Sequence, residues 1–127
     1  MTTLSATDFA AELALVEHYW TPRVIGRVND QYVKVARLLG ELVWHSHENE
    51  DEMFLVVSGR LRIQLRGSDE VVLEPGQFYT VPRGVPHNPV ADDVVEIVLI
   101  ETVTTAHTGD VTVAGTVPID QQLGAFS

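Results

Sequence analysis

The chain has 127 residues, 45% of them hydrophobic and 20% charged, a composition that fits one packed globular domain. No apolar run approaches the roughly 20 residues of a membrane helix, so we expect no membrane partner. Eighteen acidic and eight basic side chains give a formal charge of −10, which repels a phosphate backbone and argues against nucleic acid binding. The lack of cysteine excludes disulfides, thiolate metal sites and a cysteine nucleophile.

The first element in chain order is a short helix, expected over residues 5–18. Ser5 and Asp8 have the spacing of a capping box, and apolar residues follow at helical spacing. Pro22 is expected to end this N-terminal segment, residues 1–22, because proline disfavours a helical conformation in the residue before it. The sequence starts without a basic region followed by an apolar core, so we expect a cytoplasmic protein.

The pattern then changes to the two-residue period of strands. Asn29 and Asp30 suit the positive φ of a tight hairpin turn between two stretches rich in Val and Leu. Further strands are expected over residues 53–57, 61–65, 71–73, 78–81 and 94–103. Short strands at regular spacing predict a barrel or sandwich over residues 23–104.

After this region the sequence becomes rich in Thr, Gly and Val, with only weak alternation. We interpret residues 105–127 as a C-terminal tail. Three arrangements are open for it: packing on the barrel, packing on a partner subunit, or a loosely ordered end.

Four side chains in the strand region are good metal ligands, namely His45, His47, Glu52 and His87. The first two histidines are two residues apart, so on a strand they point to the same face. Glu52 lies at an odd offset from both, so the chain must turn between them, and the polar residues 48–51 suit that turn. Two prolines and a glycine precede His87 and fix the turn that presents it.

Three imidazoles and one carboxylate suit divalent Fe, Mn, Ni, Co, Cu or Zn and argue against Ca or Mg, which prefer oxygen ligands. We therefore predict one divalent transition metal per chain, of an identity that the ligands leave open. If the ion is octahedral, two positions stay free for water, dioxygen or a chelating substrate. Free positions are typical of catalytic rather than structural sites.

Strand parity also suggests what surrounds the metal. Phe54 and Val56 share the face of Glu52, so we expect them to line a pocket, with Tyr79 as a further candidate. His18 and His107 have no partner nearby in the sequence, and we interpret them as structural or exposed.

The spacing of the ligands resembles the two-part motif of the cupin family. The first cupin motif runs from a glycine through His-x-His to a glutamate and a closing glycine, and it is matched at Gly40, His45, His47, Glu52 and Gly59. The second motif is matched at Gly76, Pro82, Gly84 and His87. Two edge positions depart from the family pattern: Gly40 is one residue closer to the first histidine than usual, and Ala91 stands where the family has an asparagine.

The resemblance implies an all-β fold, the cupin (jelly-roll) antiparallel β-barrel with a short N-terminal helix, and a homodimer. It leaves the reaction open, because cupins include dioxygenases, sugar-phosphate isomerases, decarboxylases, ligand sensors and storage proteins. We expect a metal-dependent enzyme acting on a small molecule, either dioxygenase-like or isomerase-like. The alternatives are a non-catalytic module that binds a small ligand and a purely structural barrel.

The isomerase reading takes its support from the motif, which is similar to that of mannose-6-phosphate isomerase. A sugar-phosphate site should offer basic side chains to the phosphate. The sequence places only Lys34, Arg37 and Arg83 plausibly near the barrel mouth, so the isomerase is the weaker of the two enzyme readings.

Overall fold

The computed structural model describes residues 5–124 and residue 126. Two short helices flank the strands, α1 (Phe9–Leu13) and α2 (Ile119–Leu123). The strands are β1 (Arg23–Val28), β2 (Gln31–Glu41), β3 (Glu52–Ser58), β4 (Leu61–Leu65), β5 (Val71–Leu73), β6 (Phe78–Val81) and β7 (His87–Thr102). Within the described residues, no helix is long and apolar enough to cross a membrane.

Strand β7 connects the two parts of the sheet. Its first residues, 87–90, pair with β4, and residues 96–101 pair with β3, while its other edge pairs with β2. The path through the sheet is β1-β2-β7-β3-β6, with β5 attached to β4, and every pairing is antiparallel. The predicted all-β antiparallel fold with a short N-terminal helix is confirmed.

The main core lies between the two parts of the sheet. Strands β2 to β7 contribute inward-facing side chains at a two-residue period: Ala36, Leu38, Phe54, Val56, Leu61, Ile63, Leu73, Val81, Ala91, Val95, Ile97 and Leu99. Their removal from water is the main favourable contribution to this fold.

A second apolar cluster covers the outer face of β2. Leu13 and Val16, from α1 and the turn after it, pack there against Val35. Arg37 lies on the same face and donates hydrogen bonds to the carbonyl oxygens of Leu13 and Val16, both at 2.8 Å. Strand β2 is therefore covered on both faces, and Ala36 lies on its inner face.

The N-terminal helix is shorter than predicted and begins later. The N-cap is Asp8, whose side chain accepts a hydrogen bond from the backbone N–H of Ala11 at 2.8 Å, so the capping box starting at Ser5 is wrong. The helix ends at Leu13, well before Pro22.

Two tight turns depend on backbone conformations that few residues adopt. Asn29 has a φ of 50° in the hairpin between β1 and β2, as its sequence predicts. Gly59 has a φ of 83°, and a Cβ atom there would lie 2.5 Å from the carbonyl oxygen of Val94. Only glycine fits this turn, which explains the glycine that closes the first motif.

The segment after β7 lies against its own barrel. Asp110 and Ser46 exchange two hydrogen bonds of 3.1 Å, one from each backbone N–H. Further along, the buried side chain of Gln122 accepts a hydrogen bond from Lys34 inside the barrel. These hydrogen bonds join the described part of the C-terminal segment to the barrel of the same chain.

Candidate metal centre

A short antiparallel bridge between His45 and His87 brings the two motif segments together. The backbone N–H of each residue donates to the carbonyl oxygen of the other, at 3.0 and 2.9 Å. His47 follows in an extended loop, a bend over residues 48–49 reverses the chain, and Glu52 opens β3. The predicted turn is present, although His45 and His47 lie outside the regular strands.

Backbone hydrogen bonds fix the two loops against each other. The N–H of Gly84 donates to the carbonyl oxygen of His47 at 2.8 Å, and the N–H of Arg83 donates to Oδ1 of Asp51 at 2.9 Å. The turn before His87 therefore holds the loop that carries His47. Such support keeps a site in one geometry before any ligand arrives.

The four predicted ligands form one buried group. His45, His47, Glu52 and His87 each offer one ligand atom, and these atoms all lie within 4.8 Å of one another. Oε1 of Glu52 is 3.5 Å from Nε2 of His47 and 3.4 Å from Nε2 of His87. This group can hold a metal ion.

Hydrogen bonds from the rings to the backbone determine which nitrogen is available. Nδ1 of His45 lies 2.8 Å from the carbonyl oxygen of Val43, and Nδ1 of His87 lies 2.9 Å from that of Val85. A carbonyl oxygen only accepts, so each Nδ1 carries the proton. Both Nε2 atoms are left as electron-pair donors, the state in which imidazole binds metals.

The unpartnered nitrogen atoms of the site fit a cation. Nδ1 and Nε2 of His47 and Nε2 of His87 are buried and have no hydrogen-bond partner among the described residues. A buried polar atom without a partner costs about 1 to 3 kcal/mol. A divalent ion between the Nε2 atoms and Glu52 would supply what they lack, and the nitrogen and oxygen donor set suits a transition metal.

The charge of Glu52 depends on a second carboxyl group, Glu101, which faces it across the pairing of β3 with β7. Burial alone would raise the pKa of Glu52, but the neighbouring side chains of Glu101, His47 and His87 bring it well below its usual range. Burial and the neighbouring Glu52 raise the pKa of Glu101 well above its usual range, against the opposing effect of Lys34. Glu52 is therefore the carboxylate ready to bind a cation.

Burial also keeps the first histidine of the group neutral. Desolvation lowers the pKa of His45 below its ordinary 6.5, and the charge that His87 can carry acts in the same direction, although the hydrogen bond to Val43 opposes them. A neutral ring has the free electron pair that metal binding requires.

A cavity opens beside the group. Its free volume is about 30 Å³, and it is lined by Trp20, Pro22, Ala36, Leu38, Leu42, His45, Glu52, Phe54, Pro89, Ile97, Leu99, Glu101 and His107. Most of these side chains are apolar, and the polar ones include the ligands His45 and Glu52. The cavity has room for about one water molecule or one small group of a ligand beside the candidate metal position, and most of its walls are apolar.

The predicted pocket residues fall in different places. Phe54 lines the cavity, with its ring centroid 6.2 Å from that of His87. Val56 is on the same face of β3 but belongs to the closed core, and Tyr79 packs against that core. Neither is among the described residues that line the cavity, because the interior is filled by side chains beyond Phe54.

Two polar residues that line the cavity, Glu101 and His107, were not predicted as part of the site. Glu101 and His107 line the cavity, and Lys34 is buried with its Nζ 2.7 Å from Oε1 of Glu101. The sequence shows Glu101 only as a charge within an apolar run. His107 stands outside both motifs, and interpreting it as structural or exposed misses its place in the cavity.

The basic residues considered for phosphate binding are occupied or distant. Lys34 is paired inside the barrel, and Arg37 lies on the outer face of β2 with Glu96. Arg83 is exposed in the turn before His87 and does not line the cavity. None of the three presents a free positive charge to the cavity.

Comparison with known proteins agrees with this geometry. The model of the cupin domain matches residues 39–103. The uncharacterized protein YdbB of Bacillus subtilis (strain 168) is 36% identical over 63 residues, which make up 50% of this chain and 56% of that protein. The match thus spans about half of the curated relative.

Three solved structures are similar over most of the chain. A cupin-2 domain containing protein from Shewanella frigidimarina NCIMB 400 is 38% identical, with a TM-score of 0.73 over 76% of this chain and 93% of that one. Protein NMB1881 from Neisseria meningitidis is 26% identical, with a TM-score of 0.71 over 77% and 99%. Hydroquinone 1,2-dioxygenase from Sphingomonas sp. TTNP3 is 16% identical and similar in fold, with a TM-score of 0.62 over 68% and 67%.

The fold and the His/His/Glu/His group define a small single-domain protein of the jelly-roll β class with a site that can hold a metal. The chain belongs to the cupin family.

Proposed function

We propose that this cupin binds one divalent transition metal ion through His45, His47, Glu52 and His87 and uses it to act on a small molecule. The observation that carries the proposal is the set of buried, unpartnered histidine nitrogens around Glu52. Hydrogen bonds to the backbone already orient two of the rings for binding through Nε2.

The chain and the ion would have separate tasks. An ion of this class supplies Lewis acidity and, if it is Fe, Mn or Cu, redox chemistry. The apolar lining limits water at the site, which strengthens the electrostatic interactions within it. Glu101 and His107 add polar groups near the ligands, where they can orient a substrate.

The cavity favours a small, mostly apolar substrate and dioxygenase-like chemistry over a sugar-phosphate isomerase. The preference rests on the lining, since the dioxygenase among the structural neighbours is similar in fold alone. Trp20, Leu38 and Phe54 offer little to a phosphorylated sugar, and Lys34 is already paired with Glu101.

Oxygen consumption tests the enzymatic part of the proposal. The iron-loaded protein should consume dioxygen with at least one member of a panel of small phenols and thiols. His47→Ala should abolish this consumption, and the control His18→Ala, at an exposed residue, should not. Failure across the whole panel with a fully iron-loaded sample would contradict the dioxygenase reading.

A non-catalytic module that binds a small ligand is the second candidate. The cavity beside Glu52 favours it over a purely structural barrel, because a structural metal site is closed by its protein ligands. A ligand that binds the metal-loaded protein without turnover would support the module. Strong destabilisation by a chelator, together with no ligand from the screen, would support the structural role instead.

A further inference from the structure

The candidate ligands leave little room beside them. The three histidines and Glu52 are each at most 4% exposed. The adjoining cavity has a free volume of about 30 Å³, which is room for about one water molecule. A substrate of the proposed function can therefore reach the metal position only if part of the protein moves.

The part of the chain that lies over the site follows β7. We call residues 105–123 the closing segment. Its His107 lines the cavity together with two of the candidate ligands. Its Gly109 packs so closely that a Cβ atom there would overlap the carbonyl oxygen of Ser46 and lie 3.3 Å from the ring of His45. The closing segment therefore covers the loop that carries the first two ligands.

Polar contacts hold the closing segment on the barrel. Asp110 and Ser46 exchange two hydrogen bonds of 3.1 Å, and the side chain of Gln122 accepts one from Lys34. The buried residues of the segment are all polar: Thr105, Thr108 and Gln122. Among the described residues, neither apolar cluster of the barrel includes a member of this segment. Because burial of apolar surface contributes most to stability, a segment attached in this way should open before the barrel unfolds.

The closing segment is also bonded to itself. The hydroxyl oxygen atoms of Thr108 and Thr116 lie 2.8 Å apart, and the backbone N–H of Val117 donates to Nδ1 of His107 at 2.8 Å. Nε2 of Gln122 donates to the carbonyl oxygen of Val117, also at 2.8 Å. These bonds need not break when the contacts with the barrel do, so the segment can move as a unit about the end of β7.

We propose that the closing segment is a gate over the candidate metal centre, and that its detachment from Ser46 gives small molecules access to His47 and Glu52. The proposal deepens the proposed function by stating how the site is reached. It rests on that function for the metal, whereas the closure of the site is a property of the chain itself.

Chemical modification of histidine measures this access without any metal. Diethylpyrocarbonate reacts with imidazole and is much larger than one water molecule, so it should modify His47 only while the gate is open. The rate at His47, read by mass spectrometry on the metal-free wild type, is compared with the rate at the exposed His18. Amide hydrogen exchange on the same sample reports the opening of residues 105–117 and of β2. We expect His47 to be protected about as much as residues 105–117 and far less than β2.

Two substitutions of Asp110 change the gate without replacing a candidate ligand. Asp110→Ala removes the acceptor for the N–H of Ser46, whereas Asp110→Asn keeps an oxygen atom for it. Loss of one hydrogen bond should speed both the modification of His47 and the exchange of residues 105–117 by about two- to tenfold. Asp110→Asn should stay close to the wild type, and His18 should react at the same rate in all three proteins.

Three results would overturn the gate. In the first, His47 is protected as strongly as the amides of β2, because the site then opens only when the barrel unfolds. In the second, His47 reacts as fast as His18, and in the third, Asp110→Ala leaves the rate at His47 unchanged. The comparison within the wild type decides alone if Asp110→Ala does not fold.

Added zinc tests the proposed function separately. Zinc bound by the candidate ligands should suppress the modification of His47 further, because the metal occupies the ring nitrogen. A rate at His47 that zinc does not change contradicts the metal site, while the result for the gate stands on the metal-free protein.

Discussion

Lys34 is a charged residue whose place in the fold depends on its partners. Its side chain is fully buried inside the barrel, where Nζ lies 2.7 Å from Glu101 and also donates to Gln122. A buried pair of this kind contributes little net stability, but removal of one partner leaves buried polar atoms without a hydrogen-bond partner.

Replacing Lys34 with Met should lower the free energy of unfolding by about 2 kcal/mol, because it leaves the buried side-chain oxygen atoms of Glu101 and Gln122 without their hydrogen-bond donor. The double variant Lys34→Met with Glu101→Leu should recover most of this loss. Urea unfolding followed by circular dichroism measures both. Arg60→Met is the matched control, since Arg60 and Glu74 form an exposed pair whose loss should have little effect. A loss no larger than in this control would contradict the role of the buried pair.

Among single residues, the sequence predicts candidate site residues that belong to a short motif. It misses candidate site residues whose position depends on how two strands pair. His45, His47, Glu52 and His87 follow from spacing within two short segments. Glu101 meets Glu52 only because β7 pairs with β3 in one particular register. Such a register depends on packing throughout the barrel, so the motifs contain no sign of it.

Among the elements, the segment from residue 105 to 117 is tied to the loop between the candidate ligands by the side chain of Asp110. Oδ1 of Asp110 accepts the backbone N–H of Ser46, next to two of the candidate ligands. Asp110→Ala should therefore increase hydrogen exchange over residues 105–117 by several-fold, while Asp93→Ala, at an exposed residue of β7, should not. Equal exchange in the two variants would show that the anchor does not hold the segment.

The same anchor should depend on pH. The hydrogen bond from Ser46 holds the pKa of Asp110 below its ordinary 3.8. Because the pKa is lowered in the folded state, the contribution is fully present above pH 3.8 and is lost as the pH falls through the lowered pKa. Exchange over residues 105–117, corrected for intrinsic rates, should then rise in the wild type and not in Asp110→Asn, which keeps a neutral acceptor. A rise of the same size in both would contradict this explanation.

The presence of the strands was predictable from the sequence, but the residues at which they begin and end were less predictable. The turns at Asn29 and Gly59 appear where the sequence places them, because each needs a backbone conformation that few residues adopt. Strand β7 begins at His87, earlier than the apolar run suggests. Its first half contains Pro89 and Asp92, which break the apolar pattern but fit where the strand pairs with β4 and where Arg62 bonds Asp92.

For the whole molecule, the predicted homodimer remains a prediction. Light scattering coupled to size exclusion should give twice the chain mass of 14.0 kDa. The measurement should be made with and without added metal. The C-terminal segment, for which packing on a partner subunit is one of the expected arrangements, contacts the loop that carries His45 and His47. A mass of one chain at micromolar concentration would contradict the dimer.

The family was recognisable from the whole sequence because two motifs recur at fixed separation, and the fold agrees with it. The cavity was not recognisable from the sequence, since it is formed by side chains from the turn before β1, from strands β2, β3 and β7, from the loop between β2 and β3, and from the segment after β7. Sequence patterns describe neighbours along the chain, whereas a cavity depends on how distant elements close around it.

Elemental analysis of the purified protein tests the metal site most directly. The wild type and the control His18→Ala should each carry about one equivalent of a divalent transition metal per chain after loading with excess metal and desalting. His47→Ala should carry well below one, because it removes a ligand whose ring nitrogens have no other partner among the described residues. Equal metal content in His47→Ala and in the wild type would contradict the site.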